Sequence, residues 1–154
     1  MRFVIRSELD CPPADAIRHV RTPRLMAYVA EPWIRFEPVD PPGLPDEWKP
    51  GRYLVRMKLF GVVPLGTQEI GIRAVEQRGE RLLIHDLGTS ALVRVWDHRI
   101  EISPAGDGRT RYRDRVRIEA GWRTPFVTWF AKRFFAHRQR RWRRLVRAGF
   151  DYGA

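Results

Sequence analysis

The stretch PFVTWFAKRFFAHRQRRWRRLVR, residues 125–147, decides the architecture. Val127, Phe130, Ala131, Phe134, Phe135, Trp142, Leu145 and Val146 recur at a period near 3.6, with Gly149 just beyond them. They mark one apolar face of a single long helix, and Pro125 suits its first turn. A helix of about 23 residues is about 35 Å long, enough to cross the whole face of a sheet. The apolar stripe passes through position 138, where an arginine stands. Arg138 is therefore expected to face inward with the aromatics, while Lys132, Arg133, Arg140, Arg143, Arg144 and Arg147 point mainly elsewhere.

Upstream of that helix, five strand-like segments follow one another: GRYLVRMKLF (51–60), TQEIGIRAVE (67–76), RLLIHDL (81–87), ALVRVWDHRIEIS (91–103) and RTRYRDRVRIE (109–119). GVVPLG, QRGE, GTS and PAGDG read as the connections between them. RFVIRSEL (2–9) is a first strand, with Phe3, Ile5 and Ser7 on one side. Two short helices follow. Pro12-Pro13 opens one, with Asp15 in its first turn, and Thr22-Pro23 opens the other as N-cap and first helical position. WIRFEPV (33–39) is a second strand. Residues 38–50 then hold five prolines and a glycine and read as a long surface loop. Sequential antiparallel strands with helices near the two ends make an α+β domain. Residues 1–154 form one unit, because the chain is long enough for one sizeable core and too short for two.

The single cysteine, Cys11, excludes an intrachain disulfide and a Cys-rich zinc site. His19 and His85 are dispersed without metal-ligand spacing, so neither metal nor cofactor is expected. The opening residues alternate apolar and polar and do not read as a leader. No run approaches the roughly 20 apolar residues of a membrane span, and a cytoplasmic location is expected. The net charge is +11, but nine Lys/Arg and no Asp/Glu lie between Arg123 and Arg147, so the rest of the chain carries only +2. That basic face has three readings: a solvated surface, a docking patch for an anionic membrane or acidic protein through Arg140, Arg143, Arg144 and Arg147, or a nucleic-acid arm. The last ranks lowest, because stacking on bases needs aromatics and these belong to the buried face.

A hairpin centred near Gly106 would pair Ile102 with Thr110, Ile100 with Tyr112, His98 with Asp114 and Trp96 with Val116. The more apolar faces then point inward, and Asp97, Arg99 and Glu101 oppose Arg111, Arg113, Arg115 and Arg117 outside. His98 and Asp114 thus meet on the concave side. They are either an acid–base pair or a structural hydrogen bond that satisfies a buried carboxylate. Tyr53, Val55, Met57, Leu59, Ile70, Ile72 and Ala74 alternate inward on earlier strands. From the residues alone these side chains either line a cavity or fill it.

Several stretches together resemble one superfamily: GRYLVRMKLFGVVPLGTQEI, VRVWDHRIEI, GDGRTRYRDRVRIEAG and FFAHRQRRWRRL, in that order. They are similar to the START-like and Bet v 1-like (SRPBCC) proteins, in particular the small bacterial branch grouped with polyketide cyclases and dehydrases. The resemblance implies a helix-grip fold, in which a curved seven-stranded antiparallel sheet wraps the C-terminal helix. It also implies a cavity between them for a lipid, quinone, sterol or polyketide. Tyr53, Val55, Met57, Ile70, Ile72, Trp96, His98, Tyr112, Asp114, Phe130, Phe134 and Arg138 are the expected ligand-binding residues. A non-catalytic binder or carrier is preferred. A cyclase or dehydrase using His98 and Asp114 is the alternative, and an interaction module acting through the basic helix is the second.

Overall fold

The computed structural model describes residues 1–153. Strand β1 (Arg2–Leu9) leads into helices α1 (Pro13–Val20) and α2 (Pro23–Ala30). Pro13 takes the first position of α1, and the Thr22 side chain accepts a hydrogen bond from the Leu25 N–H at the start of α2. Strands β2 (Ile34–Asp40), β3 (Gly51–Leu59), β4 (Val63–Arg78), β5 (Arg81–Ser90), β6 (Val95–Gly106) and β7 (Arg109–Glu119) follow. A 3-10 turn (Gly121–Arg123) then enters helix α3 (Thr124–Arg147). The seven strands form one antiparallel sheet in the order β1-β7-β6-β5-β4-β3-β2. This is the helix-grip α+β arrangement, with α3 against the concave face.

The apolar stripe of α3 makes two cores rather than one. Ala131, Phe134 and Phe135 pack with Phe3, Val116 and Ile118 near the start of the helix. Trp142, Leu145 and Val146 pack with Leu9, Ile17, Val20, Leu25 and Ile102 near its end. Residues beyond the helix lock the second core to α1. His19 stacks on Phe150 with ring centroids 4.1 Å apart, and its Nδ1 lies 2.8 Å from the Tyr152 hydroxyl.

Three strand boundaries differ from the sequence expectation. GVVPLG is not wholly a connection: the chain reverses at Phe60–Val62, where Phe60 and Gly61 take φ values of 51° and 74°, and Val63–Gly66 already belong to β4. GTS lies inside β5, and β6 starts only at Val95. The β6–β7 turn is centred on Asp107-Gly108 rather than Gly106. Both residues have positive φ, 53° and 71°, as a two-residue type I′ turn requires. The register moves by two residues, to Ile102 opposite Tyr112, Ile100 opposite Asp114, His98 opposite Val116 and Trp96 opposite Ile118. A shift of two keeps every side chain on its face. The outer ion pairs therefore form as expected: Glu101 binds Arg113 at 3.2 Å and Arg115 at 3.6 Å, and Asp97 binds Arg117 at 3.7 Å.

Where β4 crosses β5, the backbones come closer than side chains allow. A Cβ on Gly88 would sit 1.9 Å from the Glu69 carbonyl oxygen, and one on Gly71 would sit 2.2 Å from that of Leu87. The Gly71 N–H donates to Asp86 Oδ1 at 2.9 Å. Such a pinch suits a tight bend in the sheet, and between its concave face and the helix there is space.

Candidate ligand cavity

That space is a cavity of about 400 Å³. Its walls come from every layer of the fold: Val20, Leu25, Met26 and Val29 of the short helices, Trp48 of the proline-rich loop, and Ile70, Ile72, Ile84 and Ile100 of the sheet. Helix α3 contributes Phe126, Val127, Phe130, Phe134, Arg138, Gln139 and Trp142 along its length. Of the expected ligand-binding residues, Met57, Ile70, Ile72, Trp96, His98, Tyr112, Asp114, Phe130, Phe134 and Arg138 all border it. Tyr53 and Val55 do not. Val55 is packed in the core, and Tyr53 turns to Trp48 and donates its hydroxyl hydrogen to the Lys49 carbonyl at 2.9 Å. Alternation along β3 placed them on the inner face correctly. The cavity, however, follows the Met57 and Leu59 end of that strand.

Where Arg138 and Gln139 of α3 face His98 and Asp114 of the sheet, the lining changes from apolar to polar. Asp114 is fully buried and accepts three hydrogen bonds: from His98 Nε2 at 2.7 Å, from the Tyr112 hydroxyl at 3.2 Å, and from Gln139 Nε2 at 2.9 Å. His98 and Asp114 are diagonal neighbours across β6 and β7 rather than direct partners, yet still bond. Burial alone would push the Asp114 carboxyl up. The bond from His98, its charge and that of Arg138 outweigh burial and hold it below the usual carboxylate range. The Tyr112 hydroxyl is pushed well up, by burial first and then by the Asp114 charge. Gln139 also donates to the Ile5 carbonyl at 2.9 Å and accepts from Ser7 Oγ, which ties the polar belt to β1.

Asp86 escaped the sequence reading. It sits directly opposite His98 in the β5–β6 ladder and borders the cavity. Desolvation in the cavity wall pushes its carboxyl up to about 6, although the His98 charge, the Gly71 N–H and the Arg138 charge pull it back. The alternation RLLIHDL does place Asp86 on the face of Ile84 and Leu82. An acid on an otherwise apolar face was the available signal. The sign of its linkage is fixed. Between the ordinary carboxylate pKa and about 6, the folded protein holds a proton that the unfolded chain has released, so Asp86 lowers stability as pH rises through that window. Asp86→Asn keeps an acceptor for Gly71 and is expected to raise stability at pH 7.5 by about 3 kcal/mol. The gain should vanish near pH 4, as denaturant melts at both pH values would show.

Arg138 lies over the Phe135 ring, its guanidinium carbon 4.8 Å from the centroid. Its Nε has no hydrogen-bond partner among the described residues. Its charge lowers both buried carboxyls, yet their hydrogen bonds come from other groups. On the outer side of α3, Arg143 donates to Ser7 Oγ at 3.2 Å and Arg147 faces Asp10 at 3.7 Å. Two of the four arginines assigned to a basic patch are thus turned toward β1 and the residue that follows it. Among the described residues no three His, Cys, Asp or Glu side chains gather as a metal site, and no helix is long and apolar enough to cross a membrane.

A curved antiparallel sheet gripping one long helix, with a cavity between, defines the START/Bet v 1-like class of fold. Solved structures bear this out. A START superfamily protein from Mycobacterium smegmatis matches with a TM-score of 0.64 at 14% identity, over 96% of this chain and 97% of that one. Protein Ms6760 from the same organism gives 0.67 at 15% identity, over 94% and 89%. Norcoclaurine synthase from Thalictrum flavum, in complex with dopamine and hydroxybenzaldehyde, gives 0.59 at 10% identity, over 90% and 83%. The chain belongs to the family described as a domain of unknown function, DUF8410, whose model matches residues 7–146. No curated protein matches it in sequence.

Proposed function

We propose that this protein binds or carries a hydrophobic small molecule of the lipid, quinone, sterol or polyketide class. The molecule would carry an oxygen function near the middle of its length. The observation that carries this reading is Arg138, a cation whose Nε–H finds no acceptor among the described residues, set in a cavity whose other walls are mostly apolar. A ligand oxygen at that level would accept from Arg138, and a ligand hydroxyl there would donate to Asp86. Apolar segments would run from it toward Phe126 on one side and toward Trp48 and Met26 on the other. The norcoclaurine synthase complex supports small-molecule occupancy of this fold and, at 10% identity, nothing narrower.

Solvent extraction of natively purified protein, followed by mass spectrometry, is expected to release one class of apolar molecule near stoichiometry. Added back at about 100 times its Kd, that molecule should stabilise the protein by about 2.7 kcal/mol. Failure to recover any ligand, together with no uptake of the apolar dye N-phenyl-1-naphthylamine, would sink the reading. Catalysis by His98 is the second reading, favoured by its bond to a carboxylate held ionised. His98→Gln separates the two. Loss of turnover with ligand affinity retained means an enzyme, whereas joint loss of affinity and stability means a structural pair.

A further inference from the structure

The exposed apolar surface of this protein is not scattered. Among the described residues, six of the ten exposed large hydrophobics lie in two connections and the start of α3, all at one end of the cavity. Phe60 and Val62 occupy the β3–β4 turn, Leu92 the β5–β6 connection, and Trp122, Phe126 and Trp129 the entry and first turns of α3. Phe126 and Leu92 border the cavity themselves, while Leu59, Leu65 and Val93 border it beside the others. Exposure is extreme for several of them: 77% for Trp122, 74% for Val62 and 73% for Phe126. Core packing accounts for none of this, and a clustered apolar patch marks a contact surface.

The charges around the patch are mostly of one sign, since Glu119 at its edge is already paired with Arg94 and Arg117. Arg123 lies over the Trp122 ring at 5.0 Å and Arg133 over the Trp129 ring at 4.4 Å, with exposed Lys132 beside them. No acidic residue occurs from Ala120 to Phe150. Aromatic side chains that present an apolar body beside cations suit the headgroup level of a bilayer. A second copy of this chain fits poorly, because a two-fold contact would set the same cations against each other.

We propose that this rim is a docking surface for an anionic lipid bilayer, with the cavity mouth held against the membrane interface. Trp122, Phe126, Trp129, Phe60 and Val62 enter the interface, and Arg123, Lys132 and Arg133 meet lipid phosphates. The docking stands on the rim alone. Exchange of cavity contents with the bilayer rests on the ligand reading above. A molecule leaving the cavity past Phe126 and Leu92 would then enter lipid without crossing water.

The test is flotation with vesicles of phosphatidylcholine, with and without phosphatidylglycerol, and quenching of tryptophan fluorescence by brominated acyl chains. Wild type is expected to float with the anionic vesicles and to be quenched, less so as salt rises. Trp122→Ala with Trp129→Ala should weaken that binding by about tenfold or more, while dye uptake persists because neither residue lines the cavity. Arg123→Gln, Lys132→Gln and Arg133→Gln together should independently weaken it by about tenfold or more and abolish the preference for phosphatidylglycerol. Arg140→Gln with Arg144→Gln should change it by no more than about twofold. No flotation of wild type at low salt would overturn the proposal. So would tryptophan variants that bind like wild type, or a concentration-dependent dimer that they abolish. Vesicle binding without dye uptake would leave the docking surface standing and remove the ligand reading instead.

Discussion

Asp114→Ala is expected to lower stability at pH 7 by about 3–5 kcal/mol, a large share of what holds a domain of this size together. The carboxylate is fully buried and holds three donors at once. Its removal leaves His98, Tyr112 and Gln139 without their acceptor in a place where water gains little access, and each stranded donor carries its own desolvation cost. Arg138 also loses a compensating charge. The pH dependence follows from the direction of the shift. A carboxyl held below its ordinary range stabilises the fold above the ordinary carboxylate pKa and loses that contribution only as pH falls through the lowered value. The wild type should therefore tolerate mild acid better than the variant, and the two should converge in strong acid. Asp114→Asn keeps the volume but brings an amide donor among donors, so it should fall between the two. Urea melts at several pH values measure all of this, and a loss under about 1 kcal/mol for the alanine variant would show that the belt relaxes around the gap.

Gly88→Ala is expected to cost about 3 kcal/mol or more, although it adds a single methyl group. The added Cβ would stand 1.9 Å from the Glu69 carbonyl oxygen, and backbone cannot step aside as a flexible side chain can. Either β4 moves from β5 or the curvature relaxes, and both disturb the Asp86 contact with Gly71. Gly71→Ala meets the Leu87 carbonyl at 2.2 Å and should behave similarly. Gly43→Ala is the control, since a Cβ there meets nothing within 4 Å and φ lies outside the left-handed region. Thermal melts of the three variants distinguish a strained pinch from a general intolerance of glycine replacement.

The helix was legible because its apolar residues hold one period over six turns, and only one structure satisfies that pattern. The strands were legible for the same reason at a period of two. Their ends were not, because Val63–Gly66 and Gly88–Ser90 are rich in glycine, proline and small residues that read as turns in isolation and become strand only through tertiary pairing. Register is a matter of one turn, and Asp107-Gly108 was the stronger signal than Gly106. The misjudgement was harmless to the site because it was even: His98 and Asp114 kept their common face. Arg138 was found because it interrupts an apolar stripe. Asp86 shows the opposite case, since its partner is a backbone N–H on the neighbouring strand β4 and the pinch that brings it there leaves only two glycines in the sequence. Tyr53 and Val55 share their face with Met57, and how far a cavity extends along a strand is set by the helix opposite, which alternation does not encode.

The polar belt of the cavity has a consequence for selectivity. A pocket with its polar groups at the far end measures how long a molecule is. Here cavity-lining residues of α3 lie on both sides of Arg138, from Phe126 to Trp142, so under the proposed ligand reading the position of the oxygen along the molecule would be what is measured. Positional isomers of identical formula and hydrophobicity would then differ sharply. One that seated its oxygen at the belt would gain the bonds, while one that carried it a few carbons away would place an unpaired polar atom against Ile and Phe side chains and leave the Arg138 Nε unmet. Chain length, by contrast, would be read weakly, because Phe126 borders the cavity and is 73% exposed, so that contents on that side would be free to protrude.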